Sequence, residues 1–180
     1  FVLDINITPN RPDGLGHVGL AREAAALHEL PWHFPSPDAP ARFTQAETID
    51  KLVRVTIEDL ERCPAYGAAA VVDVVVGPSP LWLKYRLESL GIRSINNVVD
   101  ITNLVLLEFG HPIHAFDLEL LRGAEIIVRR AKEGEKLRTL DGVDRALSAD
   151  DLVIADAVGP VALVGVMGGE GSEIRSTTSR

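Results

Sequence analysis

An α+β fold is predicted by three observations: helical spacing concentrated before Gly110, strand-like alternation after Ala124, and no regular strand–helix–strand repeat between them. The expected architecture is a mixed, mainly antiparallel sheet with helices packed on it, in one domain preceded by a short strand–helix remnant. At 180 residues, with 46% hydrophobic and 24% charged side chains, the chain is long enough to bury a core, and its composition excludes disorder. No stretch approaches the roughly 20 apolar residues of a membrane span, and no basic-then-apolar leader opens the sequence. A cytoplasmic location without a membrane partner is therefore expected. One cysteine, Cys63, excludes an internal disulfide or a multi-cysteine zinc site and reads as a small buried hydrophobe. A net charge of −8 is wrong for a surface that grips nucleic acid everywhere, so any RNA contact must be local.

Taken in order, Phe1 to Ile7 alternates as a strand, and the lack of an initiator methionine suggests an excised piece. Pro9 and Pro12 then delay any helix. Leu20, Ala24 and Leu27 recur at helical spacing, giving a helix from about Leu15 to Leu30 that Pro31 stops. The proline-rich residues 31–46 read as a linker, dividing the chain into 1–43, a remnant of a preceding module, and 44–180, the main domain. Leu52–Ile57 and the longer, apolar Tyr66–Val76 are predicted strands. Ser79-Pro80 supplies an N-cap followed by a first-turn proline for a helix whose Leu83, Leu87 and Leu90 share a face, closed by Gly91. Asn96 or Asn97 caps a third helix running to Phe109, with Gly110 in the left-handed position after it. Being apolar nearly all round, that helix is expected to be buried. Strands are predicted at Ile126–Arg130, Lys136–Leu140, Val143–Leu147, Leu152–Ala155 and Val161–Val166, with Asp141-Gly142 turning the second into the third.

Several motifs bear on chemistry. In Gly110-His111-Pro112-Ile113-His114-Ala115-Phe116-Asp117 two histidines lie near a carboxylate, but the proline and glycine make a turn and no third histidine or cysteine is close, so no metal is expected. Caps account for Asn96 and Asn97. Thr102 and Asn103, one turn further on, either bond back to the preceding turn or face a pocket. Gly165–Gly171 lacks the spacing and lysine of a phosphate loop and opens no helix, so nucleotide binding is not supported. Its glycines instead allow close approach to another strand or to a ligand. Arg122, Arg129, Arg130, Lys132, Lys136, Arg138 and Arg145 form either a solvated strand face or a strip able to meet a phosphate backbone.

Asp4-Ile5-Asn6-Ile7-Thr8-Pro9-Asn10-Arg11-Pro12-Asp13, Pro80-Leu81-Trp82-Leu83, Gly91 to Asn103, His111 to Asp117, Arg130 to Glu135, Leu140-Asp141-Gly142 and Gly165 to Glu170 occur in order. Together they resemble the β subunit of bacterial phenylalanyl-tRNA synthetase, over nearly the whole chain. The resemblance implies most of the family's editing domain, which hydrolyses tyrosine wrongly esterified to the phenylalanine tRNA. It implies a parent phenylalanine–tRNA ligase built of two α and two β subunits, in which the α subunit performs the ATP- and Mg2+-dependent ligation, and no cofactor in this piece. The tRNA 3′ end and the α subunit are the implied partners.

Residue by residue, His114 matches a histidine that contacts the terminal adenosine or orients water, and Thr102 matches the pocket threonine. Arg93 matches a basic residue near the tRNA end, and Gly168 a glycine whose backbone lies against the substrate. Asn103 and His111 belong to the same motifs, though the family often has glutamine where His111 stands. The family continues past Ser176-Thr177-Thr178 into an apolar strand carrying a glutamate that reads the tyrosine hydroxyl, so local hydrolysis is expected to be incomplete in this piece. The alternative is a non-catalytic tRNA- or protein-binding module on the same fold.

Overall fold

The computed structural model describes residues 2–34 and 48–180. Most of the proline-rich stretch assigned as a linker lies outside the described residues. The described chain divides into two units, Phe1–Phe43 with Gly77–His114 and Thr44–Val76 with Ala115–Arg180.

The first unit is helical. A 3-10 turn at Pro12–Leu15 leads into α1 (His17–Leu27), followed by α2 (Leu81–Ser89) and α3 (Asn97–Phe109). The turn is braced by ion pairs of Arg11 with Asp13 and Glu23 and of Arg22 with Asp13. These hold the Asp13 carboxyl down at about 2, the Arg11 hydrogen bond contributing most. α1 begins two residues later than the spacing predicts, because Pro12–Leu15 takes the tighter helix first. α3 packs against both other helices, and Arg86 on α2 reaches Glu108 on α3 at 2.8 Å. Gly16 permits the close approach of α1 to the end of α3: a Cβ there would stand 2.8 Å from the Gly110 nitrogen.

The second unit carries the sheet. Its strands are β1 (Arg54–Ile57), β2 (Glu125–Arg130), β3 (Lys136–Arg138), β4 (Asp144–Ala146), β5 (Leu152–Ala155), β6 (Pro160–Leu163) and β7 (Met167–Gly168). Five form one sheet in the order β1-β2-β5-β6-β7, and β3 and β4 form a hairpin. Among the described residues only β1 and β2 run parallel, with Arg54 opposite Glu125; the remaining pairs are antiparallel. The fold is thus α+β with a mixed, mainly antiparallel sheet, as expected.

Because side chains alternate across a strand, β5 sends Ile154 to one face and Val153 and Ala155 to the other. Ile154 joins Val53, Leu121, Ile126, Val161 and Ala162 in one apolar cluster, while Val153 and Ala155 join Ala131, Leu137 and Leu147 in a second. Both faces of the sheet are therefore covered. Cys63 is buried, its thiol donating to the Ala65 carbonyl.

Four local expectations need correction. Val2–Ile7 forms no strand among the described residues, since no neighbouring backbone satisfies its alternating N–H and C=O groups. Tyr66–Val76 joins no sheet among the described residues either, and Asp73 within it adopts a left-handed backbone (φ 57°) that breaks the run. Ser79 does not cap α2: Pro80 takes the cap position, and the serine hydroxyl goes to Asp100 instead. α3 is not buried all round, because Ile101 and Leu106 are exposed.

Candidate functional site

The best-braced feature of the helical unit is the entry to α3. Asn96 caps the helix by accepting from Val99 N at 2.9 Å, and Gly110 closes it in the left-handed conformation (φ 68°). One turn inside lies Asp100, with none of its surface exposed. Its carboxylate accepts from the hydroxyls of Ser79 and Ser94 and from Ile95 N at 2.8 Å. Burial pushes this carboxyl up, but the hydroxyl donors together with the Ile95 and Asn96 backbones outweigh it and leave it below the usual aspartate range. Asn97 adds a clasp: its N–H donates to the Gly77 carbonyl at 2.9 Å and its Oδ1 accepts from Gly77 N at 3.1 Å. The loop before α3, the residues before α2 and the first turn of α3 are thereby fixed as one piece.

On this frame sit five of the six candidate site residues. Arg93 lies exposed in the loop before α3, without an ion pair among the described residues, although Lys84 and Arg86 nearby each pair with a glutamate. Thr102 and Asn103 are half-buried on α3. The Thr102 hydroxyl donates to the Val99 carbonyl at 2.7 Å, so the back-bonding alternative applies. His111 and His114 lie in the loop after Gly110, both exposed. The protein around His114 nevertheless removes enough water to lower its imidazole pKa below the usual histidine value. The sixth, Gly168, belongs to the sheet unit, where it is buried in β7 opposite Ala162 and its carbonyl accepts from Leu140 N at 3.0 Å.

The neighbouring glycine answers the question the glycine-rich run posed. A Cβ on Gly169 would meet the Val161 carbonyl oxygen at 2.7 Å and Leu137 at 2.8 Å, so here the glycine admits another strand. The run then enters a short 3-10 turn, Glu170–Ser172, which does not fit the phosphate-cradling loop and helix that ATP would need. Among the described residues no three His, Cys, Asp or Glu side chains gather as a metal-binding group.

The basic stretch is largely neutralised. Arg122 pairs with Asp156, Arg129 with Glu135, Arg130 with Asp59, Arg138 with Glu170 and Arg145 with Asp141. Lys132 and Lys136 form no ion pair among the described residues. These arginines therefore mainly tie strands and turns together. An open apolar groove of about 510 Å³ lined by Ile5, Leu20, Ala21, Glu23, Ala24 and Leu27 includes none of the candidate site residues.

Asp100, Ser79 and Ser94 are the organising residues that sequence reasoning missed. The available signal was an aspartate in the first turn of an otherwise apolar helix, where an ionised carboxylate requires donors.

The B3/4 domain family matches residues 62–180. The chain is 54% identical over 179 residues to the phenylalanine–tRNA ligase beta subunit of Anaeromyxobacter dehalogenans, a match covering 99% of this chain and 22% of the relative. The same protein of Geobacter metallireducens and that of Halalkalibacterium halodurans are each 49% identical over 178 residues, again across 99% of this chain and 22% of theirs. The chain thus spans about a fifth of the length of these relatives. It belongs to the B3/4 domain family.

Proposed function

We propose that this stretch is the post-transfer proofreading region of a phenylalanine–tRNA ligase, where tyrosine misattached to the phenylalanine tRNA is hydrolysed. The observation that carries the reading is one rigid frame: the Asp100-centred network holds the loop bearing Arg93 and the helix bearing Thr102 and Asn103, and the loop with His111 and His114 follows that helix directly. The identity of about half over 99% of the chain to beta subunits of that enzyme supports it.

The need for such a region is chemical. An apolar pocket discriminates only ~100-fold against an isostere that adds a hydroxyl. A second pocket with a polar group for that hydroxyl accepts tyrosine, whereas phenylalanine leaves the group unpaired at a cost of about 1–3 kcal/mol.

Hydrolysis proceeds by water rather than by a covalent enzyme ester. Cys63 is buried, the hydroxyls of Ser79 and Ser94 are committed to Asp100, and Thr102 donates to Val99. His114, its pKa lowered by desolvation, stays neutral at pH 7 and can accept a proton from water attacking the ester carbonyl, or orient that water. Arg93, which forms no ion pair among the described residues, offers its guanidinium to the phosphates of the tRNA 3′ end. ATP, Mg2+ and the ligation step belong to the α subunit, within a heterotetramer of two α and two β subunits in the cytoplasm. The proofreading domain spans 44–180, with 1–43 belonging to a preceding module.

The test is deacylation of pre-charged tyrosyl-tRNA by the full-length ligase. His114→Ala should slow it by about 10²-fold or more, the scale of a lost general base, with phenylalanyl-tRNA formation kept. An unchanged deacylation rate refutes the assignment.

A further inference from the structure

One helix carries aromatic side chains where a buried core does not use them. On α2, Leu83 and Leu87 are buried, whereas on the opposite side Leu81, Trp82 and Tyr85 are 67%, 60% and 65% exposed. Residues three apart on a helix are neighbours, so the Trp82 and Tyr85 rings share one face. Neither is stacked on another ring among the described residues. A contiguous exposed patch of large apolar side chains marks a contact surface.

What that surface takes is decided by the charge beside it. The chain as a whole carries −8, yet residues 80–95 hold Lys84, Arg86 and Arg93 against one carboxylate, Glu88. Lys84 meets Glu88 at 3.8 Å and Arg86 meets Glu108 at 2.8 Å. Arg93 forms no ion pair among the described residues and stands four positions past Ser89, the last residue of α2. Tyr85 lies only about 6 Å along the axis from that end, at 1.5 Å per residue. Exposed rings followed by an unmatched cation suit single-stranded nucleic acid, whose bases stack on aromatic faces while its phosphates meet positive charge. An apolar protein surface would cover the rings but leave the local excess of cations unanswered.

We propose that the Trp82–Tyr85 face of α2 is a stacking platform for the unpaired nucleotides of the tRNA 3′ end, with Arg93 on their phosphates. The platform holds the strand and takes no part in the chemistry of the ester. This rests on the proofreading reading, because it requires a tRNA end delivered to the helical unit.

Deacylation of pre-charged tyrosyl-tRNA by the full-length ligase, followed over a range of tRNA concentrations, tests it. Trp82→Ala should raise KM about 10-fold, the scale of one lost stacked base, and Tyr85→Ala should raise it in the same direction. In both, kcat should fall by much less than KM rises. Trp82→Phe keeps a flat ring and should recover most of the loss. Unchanged KM in both alanine variants overturns the platform and leaves the face to a protein partner. A kcat that falls with no rise in KM overturns it too, since a stacking surface acts on binding. If His114→Ala stops deacylation while both alanine variants keep the parent KM, the proofreading reading stands and the platform alone fails. Deacylation that His114→Ala leaves untouched removes the reading and the platform together.

Discussion

Asp100 shows how one buried charge can organise a surface loop. Removing it by Asp100→Ala strands the hydroxyls of Ser79 and Ser94 and the Ile95 N–H, and a loss of about 2–4 kcal/mol is expected by urea unfolding. Because its carboxyl is held below the ordinary aspartate value, the stabilisation is present above about pH 3.9 and is lost as pH falls through the lower folded value. The acid-side decline in stability should therefore be shallower in Asp100→Asn than in the parent, and parallel declines would remove the carboxylate from the account. At His114 the pKa is lowered, so the neutral imidazole persists below about pH 6.5. The rate of tyrosyl-tRNA deacylation by the full-length enzyme should fall only on the acid side of that value. An acid limb that His114→Ala leaves unchanged would assign the titration to another group.

At the scale of elements, what was legible in the sequence was local. The ends of α3 could be read because a cap and a left-handed glycine act within a few residues: Asn96 bonds Val99, and Gly110 N bonds Leu106. The Asp141-Gly142 turn was readable for the same reason, with Gly142 N bonded to the Thr139 carbonyl. Tyr66–Val76 has the composition of a strand, but pairing requires a neighbour that composition does not specify. Ser79 was misread as a cap because its partner, Asp100, lies 21 residues away. β7 escaped notice because it is two residues long and glycine-ended. Its neighbour carries a sharp expectation: Gly169→Ala drives a methyl group against the Val161 carbonyl and Leu137. It should destabilise the chain by about 1–3 kcal/mol, an overpacking cost. An unchanged urea midpoint would mean that β6 and β7 can separate without penalty.

For the whole molecule, the candidate residues divide between the two units, with Arg93, Thr102, Asn103, His111 and His114 in one and Gly168 in the other. The sequence pattern could identify the family because its motifs recur in order. It could not reveal that five arginines of the basic stretch are matched by carboxylates, since those pairs join residues up to 71 positions apart. On the proposed reading, RNA contact is thereby narrowed to cations such as Arg93 that form no ion pair among the described residues. The most direct measurement is the level of tyrosyl-tRNA that the intact ligase accumulates under excess tyrosine, compared with a variant carrying both Arg93→Ala and His114→Ala. The proofreading account predicts that mischarged tRNA stays low in the intact enzyme and builds up in the double variant, while equal low levels in both would contradict it.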